Sequence, residues 1–125
     1  MPNILLVEDN EVALRATAQI LERSGYTVIM APDGREGLEK LYKENVDLVV
    51  ADILMPHYNG LEMLSKIRNG HFKKDIPVIL MSALIEESAK ISAFNLGADD
   101  FLQKPFSMQE LRSRVASLLA KKAII

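Results

Sequence analysis

Short apolar runs alternate along the chain with longer stretches in which apolar residues return every three or four positions. Runs of four or five residues that are rich in Val, Ile and Leu and lack polar alternation are typical of strands buried on both faces of a parallel sheet. Four such runs predict strands over residues 3–7, 27–31, 48–51 and 78–81, and a short fifth strand is expected over residues 99–102.

The stretches between these strands predict five amphipathic helices. In the first helix, Leu14, Ala18 and Leu21 recur at spacings of four and three, after Asn10 as a favourable N-cap. The other helices are expected after Asp33, from about residue 61, over residues 87–96 and after Ser107. Their inward positions are expected to include Leu38, Leu41, Tyr42, Leu61, Leu64, Ile67, Leu111, Val115 and Leu118.

The strict alternation of strand and helix predicts the fold class. Parallel strands joined by helices require right-handed crossovers, and the helices then cover both faces of the sheet. The strand order 2-1-3-4-5 is common for such a sheet and places the switch point between strands one and three. We therefore expect a flavodoxin-like, doubly wound (βα)5 sandwich of three layers, forming a single domain over residues 1–125.

The most informative stretch surrounds the third strand. The buried run ends at Asp52, Pro56 prevents continuation of a regular strand or helix, and Asn59 and Gly60 are residues that tolerate positive φ in a turn. A carboxylate is thereby placed at the carboxyl edge of a central strand. That edge is where open α/β sheets bind ligands and carry out chemistry.

Other chemical side chains follow the neighbouring strands. Glu8 and Asp9 follow the first strand, Ser82 follows the fourth and Lys104 follows the fifth, so all are expected at the same edge as Asp52. Three converging carboxylates repel one another unless a cation is bound, and oxygen ligands with room for water favour Mg²⁺.

A lysine beside such an ion could hold a bridging phosphoryl group, and Ser82 could donate a hydrogen bond to one of its oxygens. Asp52 would then be the nucleophile, since carboxylates form aspartyl phosphates. The residues thus point to phosphoryl transfer at this edge of the sheet.

Composition narrows the classes of partner. The 125 residues contain 49% hydrophobic and 26% charged residues and carry a formal net charge of -2, which argues against direct binding to nucleic acid or an anionic membrane. The pair Lys73-Lys74 is expected to lie in a solvated loop. Cysteine is absent, Glu8 comes too early for a signal peptide, and no apolar run reaches membrane-spanning length. A cytoplasmic protein is therefore expected.

Five short motifs occur in a recognisable order. They are Glu8-Asp9, Asp52-x-x-Met55-Pro56-x-x-x-Gly60, Ser82-Ala83, Gly97-Ala98-Asp99-Asp100 and Lys104-Pro105-Phe106. With this set, the whole chain resembles a response-regulator receiver domain of two-component phosphorelay signalling, and it is similar to the single-domain chemotaxis-type regulators. The resemblance implies a protein switch without an output domain, rather than an enzyme that turns over a substrate.

The resemblance also implies a role for each site residue. Asp52 would accept a phosphoryl group from a phosphohistidine on a sensor kinase or a histidine phosphotransfer protein. Asp9, Asp52 and the main-chain carbonyl of Leu54 would bind Mg²⁺, for which Mn²⁺ could substitute, and Glu8 would act through a coordinated water. Lys104 would pair with the phosphoryl oxygens.

Ser82 and Phe101 match the two switch positions of the family, a hydroxyl that moves toward the phosphoryl group and a ring that follows it inward. The bond between Lys104 and Pro105 resembles the family's cis peptide. The resemblance further implies a downstream protein that docks on the last helices, and a monomer or weak dimer. Leu54 and Leu84 occupy positions that modulate dephosphorylation, and because both are apolar we expect a long-lived phosphoryl group.

Three other functions have to be weighed. A flavodoxin-like nucleotide binder would need a phosphate cradle after the first strand, where Glu8 and Asp9 would repel a phosphate that lacks a bridging cation. An Mg²⁺-dependent phosphohydrolase would need a second Asp two residues after its nucleophile, where this chain has Leu54. A structural relative that is not phosphorylated is disfavoured by the intact set of Asp9, Asp52, Ser82 and Lys104.

Overall fold

The computed structural model describes residues 1–55, 59–71, 73–83 and 86–123. Strands and helices alternate through these ranges, in the order β1 Asn3–Val7, α1 Glu11–Arg23, β2 Thr27–Ala31, α2 Gly34–Lys43, β3 Leu48–Asp52, α3 Gly60–Arg68, β4 Val78–Ser82, α4 Glu87–Asn95, β5 Asp100–Gln103 and α5 Met108–Ala123. No helix in these ranges is long and apolar enough to cross a membrane.

The five strands form one parallel sheet in the order β2-β1-β3-β4-β5, which confirms the predicted fold class. Alternate residues of β1 enter opposite layers because successive side chains of a strand point to opposite faces. Leu5 and Val7 belong to the core cluster that includes residues of α2, α3 and α4, whereas Ile4 and Leu6 belong to the cluster that includes residues of α1 and α5. The sheet is therefore covered on both faces.

Local capping explains where several helices begin. The side chain of Asn10 accepts a hydrogen bond from the amide of Ala13 at 2.9 Å, and Asp33 does the same for Glu36 at 2.9 Å. Each cap satisfies an amide that has no partner inside its helix. These two helix starts agree with the sequence prediction.

The loop before α3 differs from expectation. Neither Asn59 nor Gly60 adopts a positive φ; Asn59 has φ -74° and is the N-cap of α3. Its side chain accepts from the amide of Glu62 at 2.8 Å, while the Glu62 carboxylate accepts from the amide of Asn59 at 3.1 Å. This reciprocal capping box starts α3 at Gly60, one residue earlier than the first apolar position, Leu61, had indicated.

One further expectation was wrong, another was wrong in part, and β5 is displaced by one residue. Tyr42 was expected to face inward, but it is 44% exposed. Lys73 has φ 57° and its ammonium donates to the carbonyls of Leu41 at 2.9 Å and Glu44 at 2.6 Å. Lys74 is exposed, as expected, whereas Lys73 is half-buried. The charge of Lys73 satisfies carbonyls at the C-terminal end of α2, where a cation is favoured.

Candidate functional site

The carboxyl edge of the sheet brings together the ends of four strands. β3 ends at Asp52 and β4 ends at Ser82, while Glu8 directly follows β1 and Lys104 directly follows β5. Asp52 is in register with Met81, one residue before Ser82. Four of the polar residues that the sequence placed at this edge therefore lie at the ends of neighbouring strands: Glu8, Asp52, Ser82 and Lys104.

Lys104 connects two of the acids. Its ammonium donates hydrogen bonds to Oε1 of Glu8 and to Oδ2 of Asp52, and it forms a salt bridge with each. Glu8 is 2% exposed and Asp52 is 6% exposed. A single ammonium therefore lies between two buried carboxylates, in surroundings where charges interact more strongly than in water.

The remaining carboxylate oxygens have backbone partners. Oδ1 of Asp52 accepts from the amide of Leu54 at 3.0 Å, and Oε2 of Glu8 accepts from the amide of Asn10 at 3.4 Å. Both acids are consequently held in fixed orientations by the loops that follow their own strands. Buried polar groups need such partners, since an unpaired buried acceptor is costly.

Burial has opposite effects on the acid and the base of this cluster. Burial is the largest influence on Glu8 and raises the pKa of its carboxyl; the hydrogen bond from Lys104 opposes this rise, and the charge of Asp52 adds to it. Burial alone would lower the pKa of Lys104, but its hydrogen bonds to Asp52 and Glu8 outweigh burial and raise it. Lys104 is therefore held in its charged form.

Asp9 lies at the same edge but is exposed, outside the Lys104 cluster. It borders a cavity between α1 and β2 whose other lining residues are Glu11, Leu14, Arg15, Met30 and Pro32. In the part of the chain that the structure describes, no hydrogen bond or ion pair of its side chain is present. The Asp9 carboxylate is thus the acid of this edge that is open to solvent.

The donor set fits a hard divalent cation that retains water. The described residues contain no group of three or more His, Cys, Asp or Glu side chains arranged to hold a metal ion. An ion at this edge would depend on few carboxylates and complete its shell with a main-chain carbonyl and water, as Mg²⁺ tolerates. With Lys104 charged, Glu8, Asp9 and Asp52 still leave a formal negative excess, which a divalent ion would neutralise.

Gly60 allows α3 to begin against the end of β3. A Cβ at this position would lie 2.5 Å from the carbonyl oxygen of Asp52 and 2.9 Å from the Cα of Ile53, and the amide of Gly60 donates to the carbonyl of Ile53 at 3.0 Å. Glycine is therefore required here for close approach of two backbones, not for an unusual φ.

Ser82 and Phe101 lie beneath the surface. Ser82 is fully buried, and its carbonyl accepts from the amide of Lys104 at 2.8 Å. Phe101 is 7% exposed and belongs to the core cluster that also contains Ala93 of α4. The aromatic ring thus already packs inward beneath α4.

Sequence reasoning missed an apolar groove beside the acids. This cavity of about 490 Å³ lies between α1 and the segment after β5, and it is lined by Ala13, Thr17, Ile20, Ala83, Lys104, Pro105 and Phe106. The spacings of four and three between Ala13, Thr17 and Ile20 were a detectable signal, because they define a second small or apolar stripe on α1.

The bond between Lys104 and Pro105 is cis. Two residues named from the sequence, Pro56 and Leu84, lie outside the described residues.

Comparisons with known proteins agree on one family. The family model described as the response regulator receiver domain matches residues 4–116. Response regulator RR06 of Streptococcus pneumoniae is 42% identical over 123 residues, which make up 98% of this chain and 55% of that protein. The alkaline phosphatase synthesis transcriptional regulatory protein PhoP of Bacillus subtilis is 40% identical over 121 residues, 97% of this chain and 50% of PhoP. The chain thus spans about half the length of these relatives.

A solved structure supports the same relationship. The response regulator protein TrrA of Thermotoga maritima, crystallised in complex with Mg²⁺ and BeF, superimposes with a TM-score of 0.84 at 35% identity. The superposition covers 94% of this chain and 99% of TrrA. The similarity therefore extends over nearly the whole of this chain.

Proposed function

This chain belongs to the response regulator receiver domain family of two-component signalling, and from that premise we propose that it is a switch operated by phosphorylation of Asp52. The phosphoryl donor would be a phosphohistidine on a sensor histidine kinase or a histidine phosphotransfer protein. The observation that carries this proposal is the contact of one ammonium, that of Lys104, with the buried carboxylates of Glu8 and Asp52.

The transfer needs no proton from Asp52. A carboxylate oxygen of Asp52 attacks phosphorus, the bond between phosphorus and the histidine nitrogen breaks, and the imidazole keeps the electron pair of that bond. The product is an acyl phosphate on Asp52 and a histidine free of its phosphoryl group. Lys104 favours this product because its ammonium already contacts Oδ2 of Asp52 and can pair with a phosphoryl oxygen.

The residues that would hold Mg²⁺ are Asp9, Asp52 and the carbonyl of Leu54, with Glu8 acting through water. When bound, the ion supplies neutralisation of the charge on the phosphoryl oxygens. Support for this donor set comes from its chemistry, since it offers only oxygen atoms and Asp9 remains open to solvent. The TrrA structure contains Mg²⁺ with BeF, which is consistent with this expectation for the family.

The switch would operate through Ser82 and Phe101. Ser82 ends the strand next to Asp52 and could donate its hydroxyl proton in a hydrogen bond to a phosphoryl oxygen. Phe101 lies on the following strand and packs with Ala93 of α4. Phosphorylation would then bias a two-state equilibrium in which these two side chains and α4 change position together.

Two surfaces suit the partners of such a switch. The groove between α1 and the segment after β5 opens beside Lys104, so we assign it to the phosphoryl donor. A downstream protein would dock on the face formed by α4, β5 and α5, which exposes the large apolar side chains Ile91, Phe94, Leu96 and Met108. Output would thus be a protein contact, with no direct contact between this domain and nucleic acid.

Intact mass measurement tests the proposal. The protein is incubated with Mg²⁺ and acetyl phosphate, and the wild type is expected to gain the mass of one phosphoryl group. Asp52→Asn should gain none, whereas Asp75→Asn, an exposed residue at the opposite edge of the sheet, should behave like the wild type. Equal labelling of Asp52→Asn would refute Asp52 as the acceptor, and multiple turnovers on small phosphate esters would indicate a phosphohydrolase instead.

A further inference from the structure

The motif Gly97-Ala98-Asp99-Asp100 is not explained by the phosphorylation site, because it lies at the other edge of the sheet. It follows α4 and leads into β5, and two of its residues, Gly97 and Asp99, contact Arg68, the last residue of α3. The side chain of Arg68 is largely covered, with 19% of it exposed.

The guanidinium of Arg68 uses all of its donor groups. Nε and Nη2 both donate to the carbonyl of Gly97, at 3.0 and 2.8 Å, and Nη2 also donates to Oδ2 of Asp99 at 2.9 Å. Nη1 donates to the carbonyls of Lys74 at 2.8 Å and Ile76 at 2.7 Å. The planar guanidinium presents these donors in a fixed geometry, which a lysine ammonium cannot reproduce.

The backbone at the end of α4 fits this guanidinium closely. Gly97 has φ +102°, and a Cβ at this position would lie 3.0 Å from Nε of Arg68. The side chain of Asp99 accepts from Arg68 and also from the amide of Val78 at 2.8 Å, at the start of β4. Arg68 therefore joins the C-terminal end of α4 to the beginnings of β4 and β5.

The N-terminal half of α4 has far fewer contacts than the end that Arg68 holds. Among the described residues, the N-cap Glu86 makes no side-chain capping hydrogen bond, and Ala93 is the one buried side chain of the helix. Residues 87–90 contain no buried side chain. Helical segments with few buried contacts open at low cost in free energy, so the two ends of α4 should differ in mobility.

We propose that Arg68 anchors the C-terminal end of α4 as a pivot, so that phosphorylation of Asp52 tilts the helix about this end instead of displacing it as a whole. This inference rests on the proposed function of Asp52. Its structural basis is the asymmetry of α4, whose fixed end lies at the edge of the sheet opposite Asp52 and whose weakly held end lies nearer the phosphorylation edge. Arg68 is accordingly a positioning residue.

The first measurement uses the unphosphorylated protein. Hydrogen exchange of backbone amides is followed by NMR in the wild type, in Arg68→Lys and in Arg15→Lys, a control in which the replaced arginine is 71% exposed and pairs with Glu11 on the surface of α1. Loss of the guanidinium contacts is expected to accelerate exchange over residues 91–97 about ten-fold, with α1 unchanged. No acceleration, or equal acceleration in α1, would overturn the anchor.

The second measurement separates a pivot from a merely structural contact. Amide chemical shifts are compared with and without Mg²⁺ and beryllofluoride, a phosphoryl mimic. In the wild type we expect the changes in α4 to be concentrated in its first half, whereas in Arg68→Lys they should extend through Asn95 to Gly97. The control Arg15→Lys should match the wild type.

The possible failures can be distinguished. A wild type that gains no phosphoryl mass from acetyl phosphate overturns the proposed function, and the pivot with it. A wild type that gains the mass but changes uniformly along α4 overturns the pivot alone, as does an Arg68→Lys variant whose changes on loading match those of the wild type.

Discussion

A methyl group added at Gly60 would collide with the backbone of the strand that carries Asp52. The new Cβ would lie 2.5 Å from the carbonyl oxygen of Asp52 and 2.9 Å from the Cα of Ile53, so one of the two backbones has to move. Overpacking of this kind costs roughly 1–3 kcal/mol, and the upper part of that range applies because no flexible side chain can give way. We expect Gly60→Ala to lower the free energy of unfolding by about 2–3 kcal/mol.

Gly37→Ala is the matched control. It is a buried glycine of α2, but its Cβ would meet side chains, Val7 Cγ2 at 2.9 Å and Met63 Cε at 3.1 Å. The Met63 side chain can rearrange, and Val7 has to shift only slightly to relieve its contact. The gain of about 1 kcal/mol for Ala over Gly inside a helix offsets this cost. We therefore expect Gly37→Ala to stay within about 1 kcal/mol of the wild type.

The free energy of unfolding of both variants is measured by urea denaturation, in which a change of midpoint without a change of slope reports a change of stability. The displacement of Asp52 should also slow labelling of Gly60→Ala by acetyl phosphate, measured as intact mass against time. If Gly60→Ala proves as stable as Gly37→Ala and is labelled at the wild-type rate, then close approach of α3 is not what positions Asp52.

Three further predictions concern the acidic cluster. Lys104→Met leaves the buried Glu8 and Asp52 without their shared cation, so its free energy of unfolding at neutral pH should fall by about 1–3 kcal/mol. Acidification should restore part of this stability. A loss of stability that does not depend on pH would contradict the prediction. Burial raises the pKa of Glu8 above 4.5, so its contribution to stability is present below that value and is lost as the pH rises through the raised pKa. Glu8→Gln should therefore lose less stability over this pH interval than the wild type. Urea denaturation at a series of pH values measures the difference. Leu54 is 55% exposed and its side chain has no polar group to orient a hydrolytic water, so phosphorylated protein should keep its label for minutes, as measured by intact mass; loss within seconds without a phosphatase would refute this.

Most of the fold could be predicted because its signals are local. A run such as Leu48 to Ala51 has to be covered on both faces, and the side chains of Asn10 and Asp33 can satisfy the first amides of a helix without help from distant residues. Parallel strands joined by helices then bring Glu8, Asp52, Ser82 and Lys104 to one edge for reasons of topology alone.

The differences arise where distant parts of the chain decide. The ammonium of Lys73 finds the carbonyls of Leu41 and Glu44, which are about thirty residues away in sequence, so a polar loop gave no sign of it. The need for Gly60 comes from the backbone of Asp52 rather than from its own φ. The contacts of Arg68 with Gly97 and Asp99 likewise have no signature in the spacing of apolar residues.

Under the proposed function, Lys104 would connect the phosphorylation site, the switch residue Ser82 and the groove. Its ammonium holds Glu8 and Asp52, its amide donates to the carbonyl of Ser82, and its neighbours Pro105 and Phe106 line the groove beside α1. An ammonium drawn toward a phosphoryl group on Asp52 would loosen its contact with Glu8, while the amide stays bonded to the end of β4. On this proposal, a change of charge at Asp52 would be transmitted through Lys104 both to the strand that carries Ser82 and to the surface assigned to the phosphoryl donor.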